Sequence, residues 1–268
     1  MSKKKASPIT LGGLAAFAVA GGIAVNVWLA GAAGAPRLYA WLLTVAGIVL
    51  LCACIGKAIS RSWTGVIESA RNRVSLSRLQ MFAWTVLVLS AVLTAGASNF
   101  FLGVDASALS VAIPGDLLAV MGIAATSLVA APAVLSLKAA PAPAAAAAAA
   151  QGVSSGIYRR PASLSASWLD LFRGDEEGNC ATPDLSKIQQ FLITVGLVAL
   201  YGAMIGQMFL AAGPIGALPP LGENFVWLLG ISHAGYLAYK AVPHPASGVD
   251  TIPSAEPAQP PSPEDAAG

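Results

Sequence analysis

Carboxylates are missing from every long apolar run in this chain. Without an Asp or Glu inside a hydrophobic segment, a carboxylate-based proton relay has no candidates. Charged residues of both signs make up only 10% of the 268 residues, against 56% hydrophobic ones, more apolar surface than one soluble core of this length hides. The chain also has no Walker loop, no HExxH helix and no GxSxG elbow, so those phosphate-binding and hydrolytic chemistries lack their residues. Cysteine is scarce. Cys52 and Cys54 share one apolar run, where positions two apart splay to different helix faces, and Cys180 stands in a loop. They read as small apolar filler, with neither a metal site nor a disulfide expected in a reducing compartment. Basic residues are dispersed, which reads as topology and lipid contact and not as nucleic-acid binding.

What is present is material for a bilayer. Crossing about 30 Å of hydrocarbon takes roughly 20 helical residues. Six runs qualify: Leu11–Ala30, Tyr39–Ile59, Leu79–Leu102, Leu117–Leu137, Ile188–Ala211 and Phe225–Val242. Each is expected to be helical, because backbone facing lipid must satisfy its own hydrogen bonds. The first run follows Lys3, Lys4 and Lys5 and reads as a retained anchor in preference to a cleaved signal peptide. With the N-terminus cytoplasmic and the spans alternating, fourteen of the 15 basic residues fall inside and only Arg37 falls outside. That asymmetry predicts six spans with both termini cytoplasmic.

One sequence block occurs twice. "RVSLSRLQMFAWTVLVLS" from Arg73 returns as "TPDLSKIQQFLITVGLVA" from Thr182, an offset of 109 that aligns Ser77 with Ser186, Arg78 with Lys187, Gln80 with Gln189, Phe82 with Phe191 and Thr85 with Thr194. Upstream, "SRSW" ending at Trp63 matches "SASW" ending at Trp168; downstream, "VMGIAATSL" from Val120 matches "LLGISHAGY" from Leu228. Two spans separate equivalent points, so the repeats share one orientation and differ from the inverted repeats of many transporters. The predicted fold is all-α: a six-transmembrane-helix bundle with two parallel helix-hairpin repeats plus an N-terminal hairpin. Its segments are residues 1–60 (N-terminal hairpin), 61–138 (first repeat), 139–162 (Ala/Pro-rich linker), 163–242 (second repeat) and 243–268 (a Pro-, Ser- and acid-rich tail read as disordered).

Within each repeat, Ser75 and Asp184 are placed to N-cap the outgoing helix, and Arg78 and Lys187 to snorkel into the headgroups. Arg78, Phe82, Thr85 and Leu89 form a helical stripe matched by Lys187, Phe191, Thr194 and Val198, a shared face expected to pack inside the protein. On the returning helices Gly122, Thr126 and Ala130, and Gly230, Ala234 and Ala238, recur every fourth position as candidate helix-packing ridges. Trp63, Ile67, Ala70 and Val74 read as an amphipathic segment on the inner leaflet, and Trp168, Leu169 and Phe172 as its counterpart.

Polar candidates are few. His233 and Tyr236, with Lys240 on nearly the same face, are candidate transport contacts or, more simply, interhelical hydrogen bonds. Gln80 and Gln189 are a candidate pseudo-symmetric pair, with Thr85 and Thr194 behind them. The loop "DLFRGDEEGNC" from Asp170 reads as a solvated acidic turn pairing with Arg71 or Arg73, since its spacing fits no calcium loop.

"ESARNRVSLSRLQMFAWTVLVLSA" with "IPGDLLAVMGIAATSLV", and "DLFRGDEEGNCATPDLSKIQQFLITV" with "LLGISHAGYLAYKAV", resemble blocks of a group of bacterial multi-pass inner-membrane proteins that have no established activity. The resemblance runs from Glu68 to Val242 without the linker. It implies a bacterial inner-membrane location and carries over no catalytic, cofactor-binding or metal-binding residue. The expected function is a non-enzymatic membrane anchor or scaffold, in contact with the lipid bilayer and with a cytoplasmic protein partner or further copies of itself. A small channel or transporter is the alternative. No cofactor is expected.

Overall fold

The computed structural model describes residues 35–103, 108–139, 156–161 and 164–242. The expected span Leu11–Ala30, most of the linker and the tail from Pro243 lie outside the described residues. Five α-helices run through the described part: α1 (Ala35–Ser60), α2 (Leu76–Phe101), α3 (Gly115–Ala139), α4 (Leu185–Leu210) and α5 (Glu223–Ala241). Two 3-10 turns, Gly65–Ile67 and Trp168–Leu171, precede α2 and α4. Among the described residues β structure is limited to isolated bridges.

Helices α1 to α4 are each long and apolar enough to cross a bilayer. Helix α5, expected as a span over Phe225–Val242, forms but has only 19 residues, opens on Glu223 and carries Lys240 in its last turn. It falls outside that set of four, although at the usual rise it is still about 28 Å long.

The helix boundaries follow local chemistry. Arg61, just past α1, takes φ 59, the left-handed conformation that ends helices. Helix α4 starts at Asp184, whose carboxylate accepts from the Lys187 backbone N–H, as expected of an N-cap. Ser75 holds the equivalent position before α2, but its side chain makes no capping bond, which corrects the sequence expectation.

Helix α2 is central and packs against α1, α3 and α4, while α5 packs between α3 and α4. The core stacks Trp84, Leu87, Ala91 and Ala95 of α2 on Leu117, Val120 and Ala124 of α3 and on Leu197, Tyr201, Ile205 and Phe209 of α4. Aromatic pairs add shape, with Trp84 and Tyr201 ring centroids 6.1 Å apart and Trp41 and Phe209 5.8 Å apart.

Of the expected small-residue ridges only part faces another helix, a Cβ on Gly230 lying 3.7 Å from Ile123 of α3. Gly122, Thr126, Ala234 and Ala238 are exposed, Ala130 and Gly230 are half-buried, and a Cβ on Gly122 would touch nothing within 4 Å. Ala124, Ser127 and Ala131 bury α3 instead, against Leu229, Ser232, His233 and Tyr236 of α5. An Ala- and Gly-rich helix carries such stripes on several faces, so spacing alone does not select one. Close backbone approach occurs at Gly56 and Gly65, where a Cβ on Gly65 would meet the Gly56 carbonyl oxygen at 2.8 Å.

The end of the bundle away from most basic residues is closed by main-chain mimicry. Asn99 donates to the Ile215 carbonyl and accepts from the Ile215 N–H, both at 2.8 Å. Ala112 and Leu218 join the loop before α3 to the loop before α5 through backbone bonds of 2.9 Å. Arg37, only 1% exposed, donates to the Ala211 and Gly213 carbonyls at the end of α4, which suits a cation at a helix C-terminus.

Candidate functional site

The most organised chemistry lies at the basic end, where the segment before α2 and the loop before α4 cover the helix termini. Neither is a helix. The stretch expected to be amphipathic around Trp63 holds only the turn Gly65–Ile67 and then an antiparallel bridge between Glu68 and Val74, with Asn72 at φ 56 reversing the chain. Ile67 and Val74 are buried with Leu76 and Leu171, while Trp63 is exposed. Phe172 meets Phe191 edge to face at 5.0 Å. In the second segment Ser167 and Asp170 form a capping box over the turn Trp168–Leu171, and Trp168 and Leu169 stay exposed.

These two segments position Asp175. Backbone bridges between Arg173 and Pro183 and between Ile157 and Glu176 hold its loop, and Tyr158 donates its backbone N–H to the Asp175 carbonyl at 2.9 Å. The Asp175 carboxylate then receives four cations. Lys240 Nζ of α5 lies 2.5 Å and Lys187 Nζ of α4 3.0 Å from Oδ2, with Arg73 at 3.4 Å and Arg71 at 3.6 Å from Oδ1. Burial opposes ionisation of this group, whose side chain is 12% exposed; Lys187, Lys240, Arg71 and Arg73 together outweigh it and hold the carboxyl well below its ordinary value.

Further pairs extend the network. Asp170 accepts from Arg160 at 2.7 Å and faces Arg73 Nε at 3.5 Å, and Glu176 accepts from Lys138 of α3 at 2.6 Å. Arg73 also donates to the Gly174 carbonyl at 2.7 Å, and Lys240 to the Tyr236 hydroxyl at 2.7 Å. Six cations thus meet three carboxylates, and Asp170 and Glu176 are buried. The loop is therefore not the solvated acidic turn that its composition suggested, though its pairing with Arg71 and Arg73 is found. Lys187, expected at the headgroups, is likewise 4% exposed, whereas Arg78 is exposed.

Inside the bundle the polar side chains mostly pair across helices. Gln80 Nε2 donates to Thr194 Oγ1 at 2.7 Å, and Gln190 Nε2 donates to Gln80 Oε1 at 3.2 Å. Gln189, the residue aligned with Gln80, is exposed, and Thr85 is half-buried. The pair forms through Gln190 because α4 turns that residue, with Lys187, Thr194 and Leu197, toward α2. The paired stripes therefore behave differently: Lys187 and Thr194 are buried, while Arg78 and Leu89 are exposed.

His233 Nδ1 and Ser127 Oγ share a hydrogen bond between α5 and α3. Sequence reading named His233 but missed Ser127, because nothing in α3 marks one small polar residue above its neighbours. Among the described residues His233 Nε2 has no hydrogen-bond partner, so no third group is seen orienting the imidazole. Ser127 and His233 are only 1% and 3% exposed. Tyr236 is turned to Lys240 and belongs to the charged end.

No protein-family model, curated protein or solved structure matches this chain. Function is accordingly argued from the geometry above.

Proposed function

We propose that this chain is a bacterial inner-membrane anchor or scaffold that holds an ordered, positively charged platform on the cytoplasmic side. The observation that carries the reading is the Asp175 network. It ties the loop before α4 to Arg71 and Arg73 and to the ends of α4 and α5, so that a stretch without regular structure is held in one shape. Trp63, Trp168 and Leu169 stand exposed on that platform, as a surface for a partner or for the inner leaflet requires. A six-span topology with both termini cytoplasmic and two same-orientation hairpins, α2–α3 and α4–α5, fits this reading. Its support is that α2 and α4 are both 26 residues long and begin at aligned positions.

Crosslinking in native membranes, followed by extraction in mild detergent and mass spectrometry, tests the proposal. A stoichiometric partner joined through the Trp63–Arg73 or Trp168–Asn179 segments is the expected result. Recovery of the protein alone, as a monomer or closed oligomer, removes the main support.

One observation favours a second reading, a small channel or transporter. His233 Nε2 and Ser232 Oγ are buried without hydrogen-bond partners among the described residues, and unsatisfied polar atoms at membrane depth line solute paths in transporters. Solute flux in reconstituted liposomes separates this reading from the first.

A further inference from the structure

A cavity of about 400 Å³ opens at the basic end between the segment before α2 and the last turns of α3. One wall is cationic, with Arg71, Arg78, Arg159 and Lys240; the opposite wall is apolar, with Leu128, Ala131 and Leu135 of α3. Among the described residues no acidic side chain lines it. Lys240 and Arg71 already face Asp175, but Arg78 and Arg159 are exposed and make no ion pair among the described residues.

The duplicated sequence block makes this imbalance informative. In the second copy the helix start is capped by Asp184, and the cation Lys187 is paired with Asp175. In the first copy the aligned residues are Ser75, which makes no capping bond, and Arg78, which has no carboxylate partner among the described residues. Among the described residues the chain supplies its own anions at one site and none at the other. At that second place an uncapped helix start, four cations and a free cavity come together. The required ligand is an anion, and the apolar wall of α3 requires that the anion carry a hydrocarbon chain.

We infer that this cavity is a binding site for the phosphodiester headgroup of an anionic phospholipid, with Arg78 and Arg159 on the phosphate and an acyl chain along Leu128, Ala131 and Leu135. The site rests on the membrane location proposed above but not on the scaffold role. Basic pockets between helices at the inner leaflet bind such headgroups by the same physics.

The test is native mass spectrometry of the full chain released from nanodiscs that contain phosphatidylglycerol and phosphatidylcholine in equal amounts. Recovery in the detergent-extracted membrane fraction is measured first, so that a failure of membrane location is seen separately. Wild-type protein is expected to retain phosphatidylglycerol over phosphatidylcholine. The double variant Arg78→Gln/Arg159→Gln is expected to lose roughly 30-fold of that preference. Ser136→Trp, which fills the cavity mouth and removes no charge, is expected to lose it as well. Equal retention of phosphatidylglycerol by wild type and both variants overturns the site. Displacement of the lipid by added inorganic phosphate overturns the lipid assignment, because a water-soluble anion would then suffice.

Discussion

Asp175 and Lys240 lie 65 positions apart in the chain, yet the carboxylate Oδ2 and the ammonium Nζ meet at 2.5 Å. The contact joins the loop before α4 to the last turn of α5, and Lys187 closes the same carboxylate onto the first turn of α4. One side chain therefore clamps both ends of the second hairpin where they meet.

Asp175→Asn should be among the most damaging single changes at this end. It removes the only carboxylate among the described residues that pairs with Lys187 and Lys240 and leaves both ammonium groups buried beside Arg71 and Arg73. Breaking a buried pair in this way costs about 3–5 kcal/mol. Thermal unfolding in mild detergent should show a large fall in Tm, and Asp175→Asn/Lys240→Met should recover part of it. A cycle in which the two changes simply add would refute the pairing.

The pH dependence has a definite sign. The Asp175 carboxyl is held below its unfolded value, so its contribution is fully present above about pH 4 and is lost as pH falls through the folded value. The stability gap between wild type and Asp175→Asn should shrink as pH falls below about 4, where wild type loses the carboxylate's contribution. A gap that stays constant or grows on that acid side would contradict the assignment.

Gln80 is expected to matter more than its aligned neighbour Gln189. Gln80→Leu strands the Thr194 hydroxyl and the Gln190 amide inside the α2/α4 contact, at a cost of about 1–3 kcal/mol. Gln189→Leu, on an exposed position, should change the same unfolding midpoint little.

Much of the helical framework was legible in the sequence, because long apolar runs admit one backbone solution in lipid. The helix starts at Leu76 and Leu185 were visible too, in the repeated block. Rotation of each helix about its axis was not. Gln189 aligns with Gln80, but Gln190 does the pairing, and of the two small-residue stripes Gly122, Thr126, Ala234 and Ala238 are exposed. In an apolar chain the hydrophobic pattern hardly distinguishes a lipid-facing side from a packed one, so facing is decided by tertiary fit. The Asp170–Asn179 loop was misjudged for the opposite reason. Its charges look solvated in one dimension, and their partners Lys138, Lys187 and Lys240 come from three different helices.

Gly174 tests how tightly the platform is built. A Cβ there would fall 1.9 Å from the Asn179 side-chain oxygen, which accepts from the Glu176 backbone N–H. Gly174→Ala must therefore push Asn179 away and open the turn that carries Asp175. Limited proteolysis should cut the variant between residues 172 and 184 faster than wild type, while helix content measured by circular dichroism stays the same. Unchanged cleavage would mean that the loop is held by the ion pairs alone.

His233→Ala separates packing from transport. If the Ser127 contact only joins α3 to α5, Ser127→Ala should cost about 0.6–1.7 kcal/mol and His233→Ala more, because it also removes a buried ring, with the double variant little more than His233→Ala alone. Binding of a crosslinked partner should then survive all three changes. A transport role predicts another outcome, since Nε2 is the one imidazole atom left without a partner in the bundle and would be the atom that meets a solute. In that case flux falls in His233→Ala but not in Ser127→Ala, at equal insertion and equal stability. Because His233→Ala also deletes a buried ring that Ser127→Ala keeps, the comparison is made at equal insertion and equal stability, where a difference in flux reports on Nε2.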